Sequence, residues 1–353
     1  MQAVVLAGGR GTRLYPLTRS TPKPLVTLFD RPVLDHTLSL LKRHGIDNIG
    51  MTVSYQAERI IEHCGSGERW NACIEYSLEE SPLGTAGSLK PFQEKLTDTF
   101  IVVSGDGVTD FDLTEAIAWH KAKGALSTLL LKPVEDPSEY GIVETDAHDR
   151  VIRFIEKPQP SEAFSTVANT GIYIFEPEIL DFIPNDRPFD FSRNLFPSLL
   201  SQDYGLYGKP MDGYWCDIGN LSSYRQVHFD ALMGRLNLPW GFGPSDNGVW
   251  IHPEAEVSNE ARIDGPIYVG RGASVGRGAS LGRFTVLGEN SQVHDHAILS
   301  ASIVGSQATI GAQSRLHGCV IGRQAQVEPS EQIQWSLLLH DLEHPLSPEL
   351  IAA

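Results

Sequence analysis

Ala3-Val4-Val5-Leu6-Ala7-Gly8-Gly9-Arg10-Gly11-Thr12-Arg13 lies at the amino end of the chain and runs on, past a proline-marked bend, to Pro22-Lys23-Pro24. Its first five residues are too few and too β-branched for a helix, which predicts a buried strand feeding a loop. Glycines let that loop take positive φ and bring backbone N–H groups close to a ligand, while Arg13 and Lys23 add charged donors. The expected ligand is therefore a phosphate chain. No Gly-Lys-Ser/Thr follows, which argues against a P-loop, and Leu14 stands where a dinucleotide fingerprint would have its third glycine.

A chain of 353 residues is long for one domain, and 41% hydrophobic content is enough for real cores. Lys and Arg number 28 against 44 Asp and Glu, a formal charge of −16. That balance disfavours general nucleic-acid binding or an anionic membrane surface, so attraction of anionic substrates must be local. Cys64, Cys73, Cys216 and Cys319 lie far apart with no Cys-x-x-Cys pair, which suggests free thiols. The amino end lacks a basic segment followed by a long apolar region, and no apolar window has spanning length, so a cytoplasmic protein is expected.

From Met1 to about Gly234 strands and helices alternate. Pro32 to His44 has amphipathic spacing with Gly45 as its cap; Ile49 to Val53 reads as a strand, Gln56 to Cys64 as a helix and Ala72 to Tyr76 as a strand. Ile101-Val102-Val103 runs into Ser104-Gly105-Asp106, Thr114 to Lys123 is helical, and Leu126 to Leu131 is a strand. This order implies an α/β fold with a mostly parallel sheet, whose ligands gather at the carboxyl ends of the strands. Further on, Tyr140 to Glu144 and Val151 to Glu156 flank a polar turn as a hairpin, Thr170 to Phe175 is another strand, and Leu221 to Met233 is a helix capped by Asn220.

Residues 235–250 hold Pro239, Gly241, Gly243 and Pro244 and are expected to be a linker. The period then changes. Aliphatic residues recur every sixth position from Ile251 through Val257, Ile263, Val269, Val275, Leu281, Leu287, Val293 and Leu299, and the beat resumes after one-residue slips at Val304 and Ile321. Such a beat is the hexapeptide repeat of a parallel β-helix. The expected divisions are 1–234 for the α/β domain, 251–335 for the β-helix and 336–353 for a tail.

Asp106, after an apolar strand, and Asp217, in Tyr214-Trp215-Cys216-Asp217-Ile218-Gly219, are the metal candidates. A hard cation such as Mg²⁺ takes oxygen ligands and uses one or two carboxylates beside phosphate oxygens. The alternative for either alone is a turn or cap aspartate. Asp110 and Asp112 read as a helix-start cluster. Lys157, at the end of a hairpin strand and followed by Pro158, is a point charge suited to a monophosphate.

The string Leu6-Ala7-Gly8-Gly9-x-Gly11-Thr12-Arg13-Leu14 with Pro22-Lys23-Pro24 resembles the signature of the sugar-1-phosphate nucleotidyltransferases. The resemblance implies a Rossmann-like domain followed by a left-handed β-helix, and about five coils at three hexads each. It assigns Asp106 and Asp217 to the metal, Lys157 to the sugar phosphate and Glu156 to sugar hydroxyls. It also implies that Leu6, Ala7, Gly8, Gly9, Gly11, Thr12, Arg13, Pro82, Gly84 and Thr85 contact the nucleotide, with Gly141, Asn169 and Thr170 at the sugar. The sugar-1-phosphate oxygen would attack the α-phosphorus of a nucleoside triphosphate and pyrophosphate would leave. A phosphate dianion needs no general base, so alignment and charge absorption are the task. Arg13 and Lys23 would hold the pyrophosphate and α-phosphate. Gly107 departs from the pattern, since many relatives carry a larger residue there.

Glu79-Glu80-x-Pro82-Leu83-Gly84-Thr85-Ala86-Gly87, Glu139-Tyr140-Gly141 and Asp212 to Gly219 look most like the mannose-1-phosphate guanylyltransferases. Guanine and mannose are carried by that resemblance alone. The alternatives are glucose-1-phosphate with UTP or dTTP, an acyltransferase using His294, His296 or His317 of the repeats, and a non-catalytic nucleotide-sugar-binding subunit. The repeats are expected to build a homo-oligomer.

Overall fold

The computed structural model describes residues 1–19, 21–239, 241–339 and 342–345. It separates into two compact units: Met1–Arg10, Pro22–Pro24 and Leu34–Asp217 form one, and Gly11–Thr21, Leu25–Val33 and the chain from Ile218 onward form the other. Two short segments of the amino-terminal stretch thus group with the second unit, as does the helix expected to close the α/β domain.

The first unit is built on a nine-stranded mixed sheet. Gln2–Leu6 lies between Phe100–Ser104 and Asn48–Val53, parallel to both, with Cys73–Leu78 next to Asn48–Val53. Val4, Val5, Met51 and Val102 are fully buried, as expected for strands covered on both faces. Consecutive strands leave Gln2–Leu6 in opposite directions, so the switch point of the sheet falls at the carboxyl ends of Leu6 and Ser104. The antiparallel strand Val167–Phe175 extends this sheet towards the hairpin Gly141–Thr145/Val151–Glu156 and, by a second pairing, towards Ser127–Pro133.

Helices form where their ends are satisfied. Val33–Arg43 buries Leu34, Leu38 and Leu41 on one face and carries Asp35 in its first turn and Lys42 and Arg43 in its last, matching the helix dipole. Leu113–Lys123 starts at Asp112, whose carboxylate accepts from the Glu115 N–H at 3.0 Å, and ends at Gly124 with φ +59°. Pro32, expected inside the helix before it, instead ends the two-residue strand Arg31–Pro32.

In the second unit the hexad beat becomes three sheets of short strands, parallel from coil to coil, with one antiparallel strand, Leu342–Pro345, added at the end of the first. Successive coils are eighteen residues apart at Val269↔Leu287 and seventeen at Leu287↔Val304, Val304↔Ile321 and Ile321↔Leu338, which accounts for the slips. The aliphatic residues of the beat fill the interior. Glycine follows them because the next coil's backbone lies there: a Cβ on Gly305 would stand 2.8 Å from the Arg323 nitrogen, and one on Gly311 2.5 Å from that of Pro329. Val249 and Trp250, expected to be linker, already form the first strand together with Ile251, and Ser336–Leu339 of the expected tail is the sixth strand of the same sheet. Residues 346–353 of that tail lie outside the described residues.

The three sheets differ on their outer faces. Two show polar residues, Glu256, Gln292 and Gln326 on one and Arg262, Arg315 and Gln332 on the other. The third carries Tyr268, Val286, Ile303, Val320 and Leu337, all nearly fully buried. Strand alternation puts these side chains outside the coil, so something must cover them. The cover is the helix Leu221–Leu232 together with Leu25–Val33: the rings of Phe29 and Tyr268 lie 4.9 Å apart, the Tyr268 hydroxyl donates to Asp30 at 2.8 Å, and the Tyr224 hydroxyl donates to the Thr27 carbonyl at 3.1 Å. This apolar face explains why helix 221–232 groups with the repeats. Among the described residues no helix is long and apolar enough to cross a membrane, and all four cysteines are free thiols.

Candidate active site

The site of the first unit starts at the switch point of its sheet. The Gly105 N–H donates to the Leu6 carbonyl at 2.9 Å, and the Ala7 N–H donates to that of Thr52 at 2.9 Å. These bonds place Gly8-Gly9 and Gly105-Asp106 on adjoining strand ends. A Cβ on Gly9 would meet nothing within 4 Å, so this glycine leaves open space beside the backbone rather than relieving a clash.

Lys23 reaches the same edge from the turn Lys23–Leu25 and is only 7% exposed. Its ammonium lies 2.7 Å from the Asp106 Oδ2 and 3.2 Å from the Asp217 Oδ1. Asp217 arrives through a short ladder, Trp215–Asp217 against Gly107–Thr109, in which it pairs with Gly107. The Ser104 hydroxyl donates to the second Asp106 oxygen. Burial disfavours charge on both Lys23 and Asp106, yet their mutual attraction outweighs it, with Asp217 also acting on Lys23. The lysine is held above its ordinary value and the aspartate below.

Two further aspartates position this apparatus. Asp110, expected to be part of a helix-start cluster, instead accepts from the Tyr214 N–H at 2.6 Å and fixes the approach to Trp215–Asp217. Asp190 accepts from the Thr85 N–H at 3.1 Å and from its hydroxyl at 3.3 Å. The Ala86 and Gly87 N–H groups both donate to Phe189 O at 2.9 Å, and a Cβ on Gly84 would stand 2.6 Å from that same oxygen. Leu83 to Gly87 is thereby latched onto Phe189-Asp190. Pro82 and Thr85 remain exposed.

On the hairpin, Glu156 pairs with Gly141, and a Cβ on Gly141 would lie 2.7 Å from the Glu156 carboxylate. The glycine makes room for that carboxylate. Lys157 has φ +48° and its N–H donates to the Tyr140 carbonyl at 2.9 Å, while the Tyr140 ring meets Trp215 edge-on at 5.2 Å. The lysine strand and the Asp217 strand are joined through that ring pair. Asn169 is 8% exposed; its amide donates to the Tyr173 hydroxyl at 3.0 Å and accepts from the Gly171 N–H at 3.2 Å. Thr170 is buried, and its hydroxyl donates to the Leu130 carbonyl at 2.7 Å.

Gly11, Thr12 and Arg13 belong to the second unit, where Gly11 has φ +60°, Thr12–Leu14 is a single 3₁₀ turn and fully buried Leu14 anchors it. Arg13 is exposed on that turn. Gly107 has room for a larger side chain: the nearest atom to an added Cβ is the Cys216 carbonyl at 3.7 Å. His317 bonds Ser300 and packs edge-on against Trp335, and the His296 ring lies over Gly278.

Among the described residues no cluster of three or more His, Cys, Asp or Glu could hold a metal. Two carboxylates already facing one cation are the donor set of a hard ion that draws its other ligands from phosphates and water.

A family model described as nucleotidyl transferase matches residues 2–233, and one described as GMPPB C-terminal domain matches residues 246–341. A UTP–glucose-1-phosphate uridylyltransferase of Synechocystis is 34% identical over 90% of this chain and 86% of its own. A mannose-1-phosphate guanyltransferase of Eremothecium gossypii is 35% identical over 93% and 92%, and a mannose-1-phosphate guanylyltransferase of Mycobacterium tuberculosis is 37% identical over 77% and 76%. A solved Bacillus anthracis structure named for glucose-1-phosphate thymidylyltransferase, in complex with sucrose, aligns with TM-score 0.61 and 25% identity over 67% of this chain and 97% of its own.

Proposed function

The chain belongs to the nucleotidyl transferase family, and from that premise we propose that it joins mannose-1-phosphate to the guanylyl group of GTP, releasing pyrophosphate and GDP-mannose. The observation that carries a metal-assisted phosphoryl transfer is the Lys23 ammonium between Asp106 and Asp217. Mannose and guanine are favoured by the fungal and mycobacterial relatives, the first of which spans both units. A uridylyl transfer to glucose-1-phosphate is the second reading, favoured by the Synechocystis relative.

Asp106 and Asp217 would hold Mg²⁺, which when bound supplies charge neutralisation for phosphate oxygens. Lys23 would turn from the carboxylates to the α-phosphate, and Arg13 would hold the departing pyrophosphate. Lys157 would orient the attacking phosphate, with Glu156 accepting from sugar hydroxyls. Leu6 to Thr12 and Pro82 to Thr85 would seat the nucleotide, the latter held by Asp190. No proton needs removal from the attacking dianion, so the residues work by alignment and by absorbing charge.

Two consequences follow from this arrangement. Asp190→Ala removes the acceptor of both Thr85 bonds, and should raise the KM for the triphosphate about thirtyfold, as expected for two net bonds of about 1 kcal/mol each, while the KM for the sugar phosphate stays put. Gly141→Ala pushes the Glu156 carboxylate aside and should act on the other substrate, raising the sugar-phosphate KM about tenfold, the scale of a displaced hydrogen bond to a charged group. Initial-rate measurements with each substrate varied in turn check both.

Pyrophosphate release from a matrix of nucleoside triphosphates against mannose-, glucose- and N-acetylglucosamine-1-phosphate tests the reading. GTP with mannose-1-phosphate is expected to be fastest. Faster release with UTP and glucose-1-phosphate selects the second reading, and no release with any pair defeats both.

A further inference from the structure

Strand Ser127–Pro133 keeps Leu206–Pro210 in register as far as the pair Pro210↔Leu131, and one further bond runs from the Met211 N–H to the Leu131 carbonyl at 2.9 Å. That ladder ends there. The next begins at Trp215, so residues 211–214 are the connection that carries Asp217 from one ladder to the other. Strand pairing no longer satisfies their carbonyls, and Lys132 takes over: its ammonium donates to the Gly213 carbonyl at 2.6 Å and to that of Met211 at 3.3 Å. The far side of the connection is held as well. The Thr109 hydroxyl donates to the Tyr214 carbonyl at 2.7 Å, and an Asp110 carboxylate oxygen lies 2.6 Å from where a Cβ on Gly213, at φ +96°, would stand. Lys132 is half-buried, and among the described residues no carboxylate pairs with it. Other lysines of the unit do have such partners, Lys209 in Glu115, Lys123 in Asp149 and Lys42 in Asp47. The charge of Lys132 is directed instead at two main-chain oxygens of this one connection.

We infer that Lys132 is a positioning residue for the Asp217 arm of the cation site: its ammonium fixes residues 211–213 so that the Asp217 carboxylate stays opposite Asp106 when Lys23 withdraws. The inference rests on the reading of Asp106 and Asp217 as a cation site. In the free chain the Lys23 ammonium, 2.7 Å from Asp106 and 3.2 Å from Asp217, draws the two carboxylates together. A lysine that turns to a phosphate gives up that hold, and an arriving metal ion must then meet ligands that other groups keep in place. Lys132 suits that task. An ammonium has three donors on one point charge, so it serves two carbonyls at once, and each charge-assisted bond is roughly twice as strong as a neutral one. Its strand is paired along both edges, with Val167–Phe175 and with Leu206–Pro210, so the anchor itself is rigid. Lys132 acts through the backbone of the connection rather than on the substrates.

The test is electron paramagnetic resonance of Mn²⁺ titrated into the full chain with a non-hydrolysable triphosphate, in the wild type, Lys132→Met and Lys132→Arg. Lys132→Met is expected to bind manganese about tenfold more weakly, the lower range for losing a group that orients a metal ligand. Lys132→Arg keeps several charged donors and should restore most of that affinity. The direction of the change discriminates between roles. A lysine acting only as a nearby positive charge would repel the ion, and its removal would tighten binding. Pyrophosphate release should show the same effect as a shift in metal demand: the Mg²⁺ concentration for half-maximal rate rises about tenfold in Lys132→Met, and the maximal rate returns at high Mg²⁺. Thermal unfolding of each variant checks the fold, and Lys132→Gln, which keeps a donor for one carbonyl, takes the place of a methionine variant that does not fold, with an affinity between the two. Manganese affinity equal to or above that of the wild type in the neutral variant, or a loss that Lys132→Arg fails to restore, would overturn the inference. Absence of manganese from the wild type would defeat the cation reading itself, and this inference with it.

Discussion

Asp106→Asn is expected to lower pyrophosphate release about a thousandfold, the upper range for removing one preorganised electrostatic contact at a reacting phosphate, while the chain stays folded. The amide keeps the shape of the carboxylate and can still accept from the Ser104 hydroxyl, and Lys23 keeps Asp217 at 3.2 Å. What disappears is one of two charges available to a metal ion. The residual rate should no longer rise with Mg²⁺, which pyrophosphate release across a Mg²⁺ series will read. Stability has its own signature. Because Lys23 holds the Asp106 carboxyl below its ordinary value, the carboxylate stabilises the fold above the ordinary aspartate range and loses that contribution as pH falls through the lowered folded value. Thermal unfolding should show wild type above the variant at neutral pH, with the gap closing in acid. Wild-type turnover in Asp106→Asn would remove the metal assignment.

Lys23→Met should move two quantities in opposite directions. Methionine keeps much of the apolar stem and removes the charge that sits between Asp106 and Asp217. In the free chain the two carboxylates then face each other without a counter-ion, a situation that favours any cation able to enter. Mn²⁺ affinity is expected to rise about tenfold, the equivalent of about one pKa unit of released competition. Turnover is expected to fall at least about a hundredfold, because the α-phosphate loses its nearest cationic donor. Manganese titration and pyrophosphate release on the same preparation check the pair. A variant that binds Mn²⁺ no better than wild type would show that lysine and metal do not share one position.

Much of this was legible in the residues. The apolar run Ala3 to Ala7 could only be a buried strand, and the hexad beat from Ile251 onward left no reading but stacked coils, because only a repeating coil brings every sixth residue inside. Asp106 was visible because it ends an apolar strand. The pairing of Asp217 with Gly107 was not: strands of three residues have no period to read, and the partners are over a hundred positions apart. Asp190 was hidden for the same reason, being joined to Thr85 across 105 residues. The bond from the Thr170 hydroxyl to the Leu130 carbonyl was hidden too, because a motif position says nothing about which way a hydroxyl is already bonded. The grouping of helix 221–232 with the repeats was hidden on a different ground. Composition marks where glycines and prolines gather, whereas helix 221–232 is held by the apolar outer face of Tyr268, Val286 and Ile303, which only the coil geometry reveals.

The claim on which the rest stands is that Asp106 and Asp217 form one cation site at the end of the parallel sheet. Electron paramagnetic resonance of Mn²⁺ titrated into the full chain with a non-hydrolysable triphosphate, compared with Asp217→Asn, tests it without recourse to turnover. One bound manganese per chain in the wild type and its loss in the variant is the expected result. Equal manganese binding in both proteins would contradict it.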